Sequence, residues 1–585
     1  MTPAPSPALS AALVRWAPGL ALLLRYERAW LKHDLIAGLV LTAVLVPVGM
    51  GYAEASGVPA IHGLYATIVP LVVYAIFGPS RIMVLGPDST LAAVIAALIL
   101  PLAAGSVERA VTLAAALSLL TGLFQALIGF ARLGAMADLF SKPIRVGFLN
   151  AIALTVIVGQ LPKLLGLPVQ TDELPERIAL IVRGVAAGEV NLAAFSIGAT
   201  SLALILVLRR VKPRWPGVLV AVALATLASG FFALGERAQL AVLGPMPQGL
   251  PAIDLPLVTA ADLRQLAFGA AIIALLSFTD TSVLSRALAA RGGSRVSQDQ
   301  EMIALGAANL GNGFFQGFPI SSSASRTPVA EAAGARTQLA GLVGAATIAL
   351  LLIVAPALLG HLPHAVLAGV VIAASVSFAD VAGMFALWRQ RRTEFALALA
   401  SFLGVALVGV IQGIVITIAI ALLLLVWNAW HPYYATLGRV DGRKGWHDLL
   451  RHPQARQVPG LVIFRWDAQL FFANAEIFRE QLLAAIDRAP TTVRVVIVAA
   501  DAINDVDVTA ADVLGELHVA LEARGIEPVF AGLKGPVKDR LRHYAEADAN
   551  LRAMVAAEHL APTVGSAVTA YRAAHAVGWK DWDEV

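Results

Sequence analysis

No cysteine occurs in this chain, and charged residues are scarce. The first absence excludes disulfides, thiol catalysis and zinc–thiolate sites. The second sets the class: Asp, Glu, Lys and Arg make up 14% of 585 residues, against roughly 25% in a soluble chain. The net charge is only +4, so the lysines and arginines read as topology signals rather than a nucleic-acid face. No nucleophile–base constellation, metal cluster or Walker-type glycine loop is visible, which argues against an enzyme and against ATP-driven pumping by this chain. Residues 1–10 are rich in Pro, Ala and Ser and lack a signal-peptide cleavage pattern.

What the chain does have is apolar length. Hydrophobic residues make up 58% and the mean hydropathy is +0.76. Runs near the roughly 17–25 residues needed to cross a bilayer fall at 34–52, 62–78, 88–103, 109–131, 143–161, 191–208, 216–234, 265–287, 298–316, 322–334, 338–358, 364–379, 393–409 and 411–429. The third and tenth are short. Basic clusters follow the even-numbered runs: Arg132, Lys142 and Arg145; Arg209, Arg210, Lys212 and Arg214; Arg286, Arg291 and Arg295; Arg336; and Arg389, Arg391 and Arg392. One side is therefore cytoplasmic, together with Arg25, Arg28 and Lys32 at the N-terminus. The loops on the other side are more mixed, with Asp172, Glu173, Glu176, Asp254 and Asp262. The even count also places the C-terminus in the cytoplasm. The expected organisation is a cytoplasmic segment over 1–30, a membrane domain over 31–430, and a cytoplasmic linker and soluble domain over 431–585.

The first seven runs overlay the second seven. Each half has two helices, a short broken third, and an amphipathic piece after the fifth (174–188 and 381–392). Seven is odd, so the second copy enters from the opposite side, as in the inverted repeats of secondary transporters. The breaks are Leu85-Gly86-Pro87-Asp88-Ser89-Thr90 and Gly317-Phe318-Pro319-Ile320-Ser321-Ser322-Ser323-Ala324-Ser325-Arg326. Gly and Pro stop regular structure, and Asp, Ser and Thr cap helices. In a bilayer such backbone is tolerated only inside protein or along a cavity. Two broken helices point to a substrate site between them. The soluble part alternates strands at 461–466, 493–499 and 528–533 with helices at 475–488, 510–523 and 537–544, a small α/β domain.

Asp34-Leu35-Ile36-Ala37-Gly38, Val46-Pro47-Val48-Gly49-Met50-Gly51-Tyr52-Ala53, Gly57-Val58-Pro59, Gly63-Leu64-Tyr65-Ala66 and Gly86-Pro87 are followed, in order, by Gln300-Glu301, Ala304, Gly306 and Asn309. Ser323-Ala324-Ser325-Arg326-Thr327 and Gly334-Ala335-Arg336-Thr337-Gln338-Leu339-Ala340-Gly341 complete the set. With this series the chain resembles the sulfate permease (SulP) family of anion transporters with a C-terminal STAS domain, over about residues 30–575. The resemblance implies an all-α membrane domain of fourteen spans as a 7+7 inverted repeat with core and gate domains, plus the small α/β STAS domain. It implies a small anion held between spans 3 and 10, elevator-like alternating access, a homodimer in a bacterial inner membrane, and a partner for STAS in the cytoplasm. No cofactor is implied beyond H+ or Na+ as coupling ion. A nucleobase-type carrier of the same architecture and a membrane sensor with STAS output are the rival readings.

Candidate substrate residues are Tyr52, Asp88, Ser89, Thr90, Ser322, Ser323, Ala324, Ser325 and Arg326. A helix N-terminus carries about half a positive charge and unpaired N–H groups, a ready anion seat. Arg326 adds a cation near the resemblance's anion path, or serves as a structural ion-pair partner. Asp88 opposes an anion unless it is protonated or is a simple cap turned away. Asp280, an isolated acid in the eighth run, is the candidate coupling-ion residue, with Asp88, or else a structural carboxylate. Thr279, Thr281 and Ser282 lie on other helix faces, which favours a proton over sodium. Val48 replaces a glutamine found in many relatives. Glu301, Asn309, Asp34 and Glu54 read as architectural, and His361 and His364 as surface residues of one outside loop. Thr509 is a candidate phosphate acceptor or an ordinary helix cap.

Overall fold

The computed structural model describes residues 16–133, 141–169, 171, 174–212, 216–292, 296–323 and 325–581. Ala324, Asp172, Glu173, Arg214, Arg295 and the segment 1–10 lie outside the described residues. The chain divides into two compact units, Met1–Ala419 and Ile420–Val585.

In the first unit a short helix, α1 (Pro18–Leu24), precedes α2 (Leu31–Ala55), α3 (Ala60–Phe77), strand β1 (Leu85–Gly86), α4 (Ser89–Ala103) and α5 (Val107–Phe130). Next come α6 (Lys142–Leu165), amphipathic α7 (Leu174–Ala186), α8 (Leu192–Val211) and α9 (Gly217–Phe231). The second half runs through α10 (Ala260–Gly292), α11 (Gln298–Phe314), β2 (Ser321–Ser322), α12 (Arg326–Ala332), α13 (Leu339–Val354), α14 (His364–Phe378), α15 (Val381–Gln390), α16 (Arg392–Leu403) and α17 (Val410–Trp430), which crosses the unit boundary. Among the described residues, 8 helices are long and apolar enough to cross a bilayer, with Ser89–Ala103, Gly217–Phe231 and Leu339–Val354 as shorter apolar helices. Leu423 at 69% and Leu425 at 65% exposure show α17 turning apolar side chains outward, the surface a hydrocarbon solvent favours.

A helix stands at each of the fourteen expected segments, with two corrections. The tenth starts at Arg326 rather than 322, because Ser321 and Ser322 are taken up by β2. The thirteenth ends at Leu403 and continues as a π-helical turn, Gly404–Val408.

The helices pack as two bundles. α2 lies against α3, α12 and α13, while α5 lies against α4, α10 and α11. The second group is α6 with α7, α14, α15 and α16, and α8 with α9 and α14. The groups meet where α2 touches α14 and α9 and where α4 touches α6. Within the first bundle α5 and α11 cross at backbone contact. A Cβ at Gly122 would lie 2.6 Å from the Leu310 nitrogen, and one at Gly306 2.7 Å from the Ala126 nitrogen. Small residues permit this approach, the packing lever that remains inside lipid.

The second unit carries a six-stranded sheet in the order β4-β3-β5-β6-β7-β8, formed by β3 (Tyr434–Arg439), β4 (Trp446–Asp448), β5 (Leu461–Trp466), β6 (Val495–Ala499), β7 (Glu527–Ala531) and β8 (Leu560–Ala561). β5 to β8 are parallel, and β3 is antiparallel to β5 and β4. The helices are α18 (Ala475–Asp487), α19 (Val508–Glu522), α20 (Gly535–Tyr544), α21 (Ala549–Met554) and α22 (Val564–Ala574). Alternation along the strands divides the core. Val462, Phe464, Val496 and Val498 face α18 and α19. Leu461, Ile463, Val495 and Ile497 face α22. With both faces covered, the central strands are continuous apolar runs.

Candidate functional site

The two breaks meet. β1 and β2 pair antiparallel, with Leu85 opposite Ser322 and Gly86 opposite Ser321. The Ser323 N–H donates to Val84 O at 3.0 Å, and the Val84 N–H to Thr327 Oγ1 at 3.1 Å. Extended backbone deep in an apolar bundle must pair its polar groups, and here each break supplies the other's partners. Sequence reasoning placed the breaks but missed this ladder.

A polar scaffold holds the second break in place. The Ile320 N–H donates to Asn309 Oδ1 at 2.8 Å, and Asn309 Nδ2 to Gln125 Oε1 at 2.9 Å. Gln125 Nε2 donates to Ser277 Oγ at 2.5 Å, and Ser321 Oγ to the Ser277 carbonyl at 3.1 Å. Gln125 and Ser277 were not anticipated; their signal was amide and hydroxyl side chains at fully buried positions of apolar helices. Glu301, also fully buried, accepts from Tyr74 at 2.7 Å and Ser80 at 2.5 Å, and Asp34 accepts from the N–H groups of Arg336 and Thr337. All are architectural, as is Asn309.

Arg326 is 1% exposed. Its Nη2 donates to the Pro87 carbonyl at 2.5 Å, just before α4. Its Nε and Nη1 have no hydrogen-bond partner among the described residues, nor does Ser322 Oγ. Gly86 is required here: its φ of +152° favours glycine, and a Cβ would come 3.1 Å from Arg326 Nη1. A buried guanidinium with open N–H groups is costly unless something fills it. Ser323 Oγ accepts from the Arg326 N–H at 3.1 Å and lies 3.2 Å from Ser325 Oγ, so these two serines serve the start of α12. Tyr52 is 4% exposed and sits within electrostatic range of Asp88 and Arg326.

Asp88 caps α4, and its Oδ1 accepts from the Thr90 N–H at 2.9 Å. Thr90 links it to Asp280. Thr90 Oγ1 lies 2.7 Å from Asp88 Oδ1 and 3.3 Å from Asp280 Oδ2. A hydroxyl has one proton to donate. When it goes to Asp88, the Asp280 contact is a hydrogen bond only if Asp280 carries a proton. Thr281 instead donates to its own helix, to Ser277 O at 2.7 Å.

Two further residues stand apart. Asp507, not Thr509, is the cap of α19, accepting from the Ala510 N–H at 2.8 Å, because the helix already opens at Val508, one residue before Thr509. Thr509 is exposed in the first turn. His364 is not a plain surface residue: its Nδ1 lies 2.6 Å from Glu54 Oε1.

The family model for the sulfate permease family matches residues 31–401, and the STAS domain model matches 452–567. This chain belongs to the sulfate permease family. Membership makes it an anion transporter and not an enzyme. It is 39% identical to a probable sulfate transporter of Mycobacterium tuberculosis, over 95% of this chain and 98% of that protein. It is 31% identical to human solute carrier family 26 member 6, over 81% of this chain and 65% of that protein. The solved structure of the murine solute carrier 26 family member A9 anion transporter shares the fold, with a TM-score of 0.87 at 23% identity, covering 98% and 96% of the two chains.

Proposed function

We infer that the chain is a secondary transporter of a small oxyanion, with sulfate as the first candidate because relatives bear that name. The anion sits between Arg326 and the N-terminus of α4, within reach of Ser89, Ser322 and Tyr52. The observation that carries this reading is the buried Arg326 guanidinium, whose Nε and Nη1 are unpaired where the two breaks meet. A guanidinium presents parallel donors that match two oxygens of an oxyanion.

Coupling runs through Asp88, Thr90 and Asp280. With both carboxylates ionised, this trio and Arg326 sum to one negative charge, which repels an anion. A proton on Asp280 neutralises the sum and completes the Thr90 bridge, so anion and proton enter together. Sodium is less suited, because it needs several oxygen ligands and Thr279, Thr281 and Ser282 lie on other faces of α10 than Asp280.

Transport proceeds by elevator-like movement of the bundle holding α4 and α12 against the bundle holding α6 and α14. Fourteen crossings in a 7+7 inverted repeat, both termini in the cytoplasm of a bacterial inner membrane, and a homodimer follow from the charge pattern and the family resemblance. The membrane domain of 31–430 carries transport, and the STAS domain regulates it through a cytoplasmic partner or phosphorylation at Thr509. Proteoliposomes test the reading: labelled sulfate should accumulate against unlabelled internal sulfate and faster with an inward proton gradient. Uptake no greater than in protein-free vesicles across a panel of sulfate, bicarbonate, nitrate, chloride and dicarboxylates would refute it.

A further inference from the structure

Glu54 ends α2, in the bundle that carries the site, and its side chain is 7% exposed. Both of its partners belong to the other bundle. Lys163 Nζ, in the last turn of α6, lies 3.0 Å from Oε2. His364 Nδ1, at the first residue of α14, lies 2.6 Å from Oε1. One buried carboxylate therefore ties together three helix ends from two bundles. They lie on the side opposite the basic clusters, which is the outside by the positive-inside bias. Below the knot the seam is tight: a Cβ at Gly51 of α2 would lie 2.9 Å from Val371 Cγ2 of α14, and Val371 is fully buried.

We propose that Glu54, Lys163 and His364 form the outer latch of the transport cycle. The pairing exists while the outside is shut and must break before the substrate-bearing bundle opens outward. The proposal rests on the alternating-access reading above. Its physical basis is that ion pairs between two moving bodies add stability to one state alone, and only such differential contacts shift a conformational equilibrium. A charge-assisted pair of this burial is worth enough to move the ratio of states about tenfold. The carboxylate itself is cheap to keep here, since the outer state offers it water.

The absence of cysteine makes the test clean. A single Val371→Cys reporter, in an otherwise unchanged full-length chain in vesicles, is treated from outside with a membrane-impermeant thiol reagent. Labelling should be slow in the Glu54 background and about tenfold faster after Glu54→Gln, Lys163→Met or His364→Gln. The Glu54→Lys, Lys163→Glu exchange should restore slow labelling. In parallel, half-saturation by external sulfate should fall and that by internal sulfate should rise. Equal labelling in all backgrounds, or no rescue by the exchange, overturns the latch. Absence of sulfate uptake with latch-dependent labelling instead overturns the substrate reading and leaves the latch standing. A variant that misfolds loses labelling control in size-exclusion profiles, and the charge exchange then decides.

Discussion

Removing the Arg326 side chain isolates the energetic heart of the site. In Arg326→Ala the anion loses the donors at Nε and Nη1, which no described residue otherwise engages. Each charge-assisted hydrogen bond is worth about 1.5–3 kcal/mol, so two contribute roughly 3–6 kcal/mol, or about 10² to 10⁴ in affinity. Part of the loss is recovered if water enters the vacated space, which places the expectation at the lower end. The Pro87 carbonyl also loses its donor, costing about 1 kcal/mol of fold stability, far less than the binding loss. Arg326→Lys retains the charge but not the fork and should fall between, at about tenfold. The assay is equilibrium binding of labelled sulfate to purified protein, with the melting temperature recorded beside it. Binding that is unchanged in a folded Arg326→Ala protein would refute the reasoning, because the reading rests on the open donors of the Arg326 guanidinium.

Asp280→Asn should leave anion uptake measurable but remove its acceleration by an inward proton gradient; retained pH dependence in reconstituted vesicles would exclude Asp280 as the coupling acid. Thr90→Val cuts the hydroxyl between Asp88 and Asp280 while keeping the side chain's shape, and should flatten the same pH profile at least partly; Asp88→Asn, which preserves the cap, should do so too. In the soluble unit, Asp507→Ala removes the α19 cap and a bond from the Phe472 N–H at 2.8 Å, costing about 1–2 kcal/mol, while Thr509→Ala should be close to neutral in the same denaturation experiment. Burial pushes the Asp448 carboxyl up, but the Tyr433 hydroxyl, the Leu450 N–H, Arg451 and Arg465 outweigh it and hold the group below its ordinary value. Its stabilising contribution is thus complete above about pH 4 and is lost as pH falls through the lowered value. The melting-temperature gap between the protein and Asp448→Asn should close on acidification.

Much of this architecture was legible because its signals are local. Gly86-Pro87-Asp88 announced a helix start, and the cap forms as expected. Apolar runs located the helices, and strand–helix alternation located the β5, β6 and β7 ladder. What stayed hidden depended on pairing across long separations. Val84 and Gly86 find Ser321 to Thr327 more than two hundred residues away, and neither segment has the length or alternation of a strand. Thr90 read as a candidate substrate hydroxyl at a helix start, since its link to Asp280 requires α10 to be placed beside α4. His364 read as a loop residue because its partner, Glu54, lies three hundred residues earlier. β5, β6 and β7 were easier than β3, β4 and β8, whose short or antiparallel pairing follows no repeat of the strand–helix rhythm.

The most direct measurement is counterflow of labelled sulfate in proteoliposomes at matched and opposed pH, comparing the unaltered chain with Arg326→Ala and Asp280→Asn. The account predicts saturable counterflow that is proton-stimulated in the first, nearly absent in the second, and present but insensitive to the gradient in the third. Indistinguishable curves from all three proteins would contradict it.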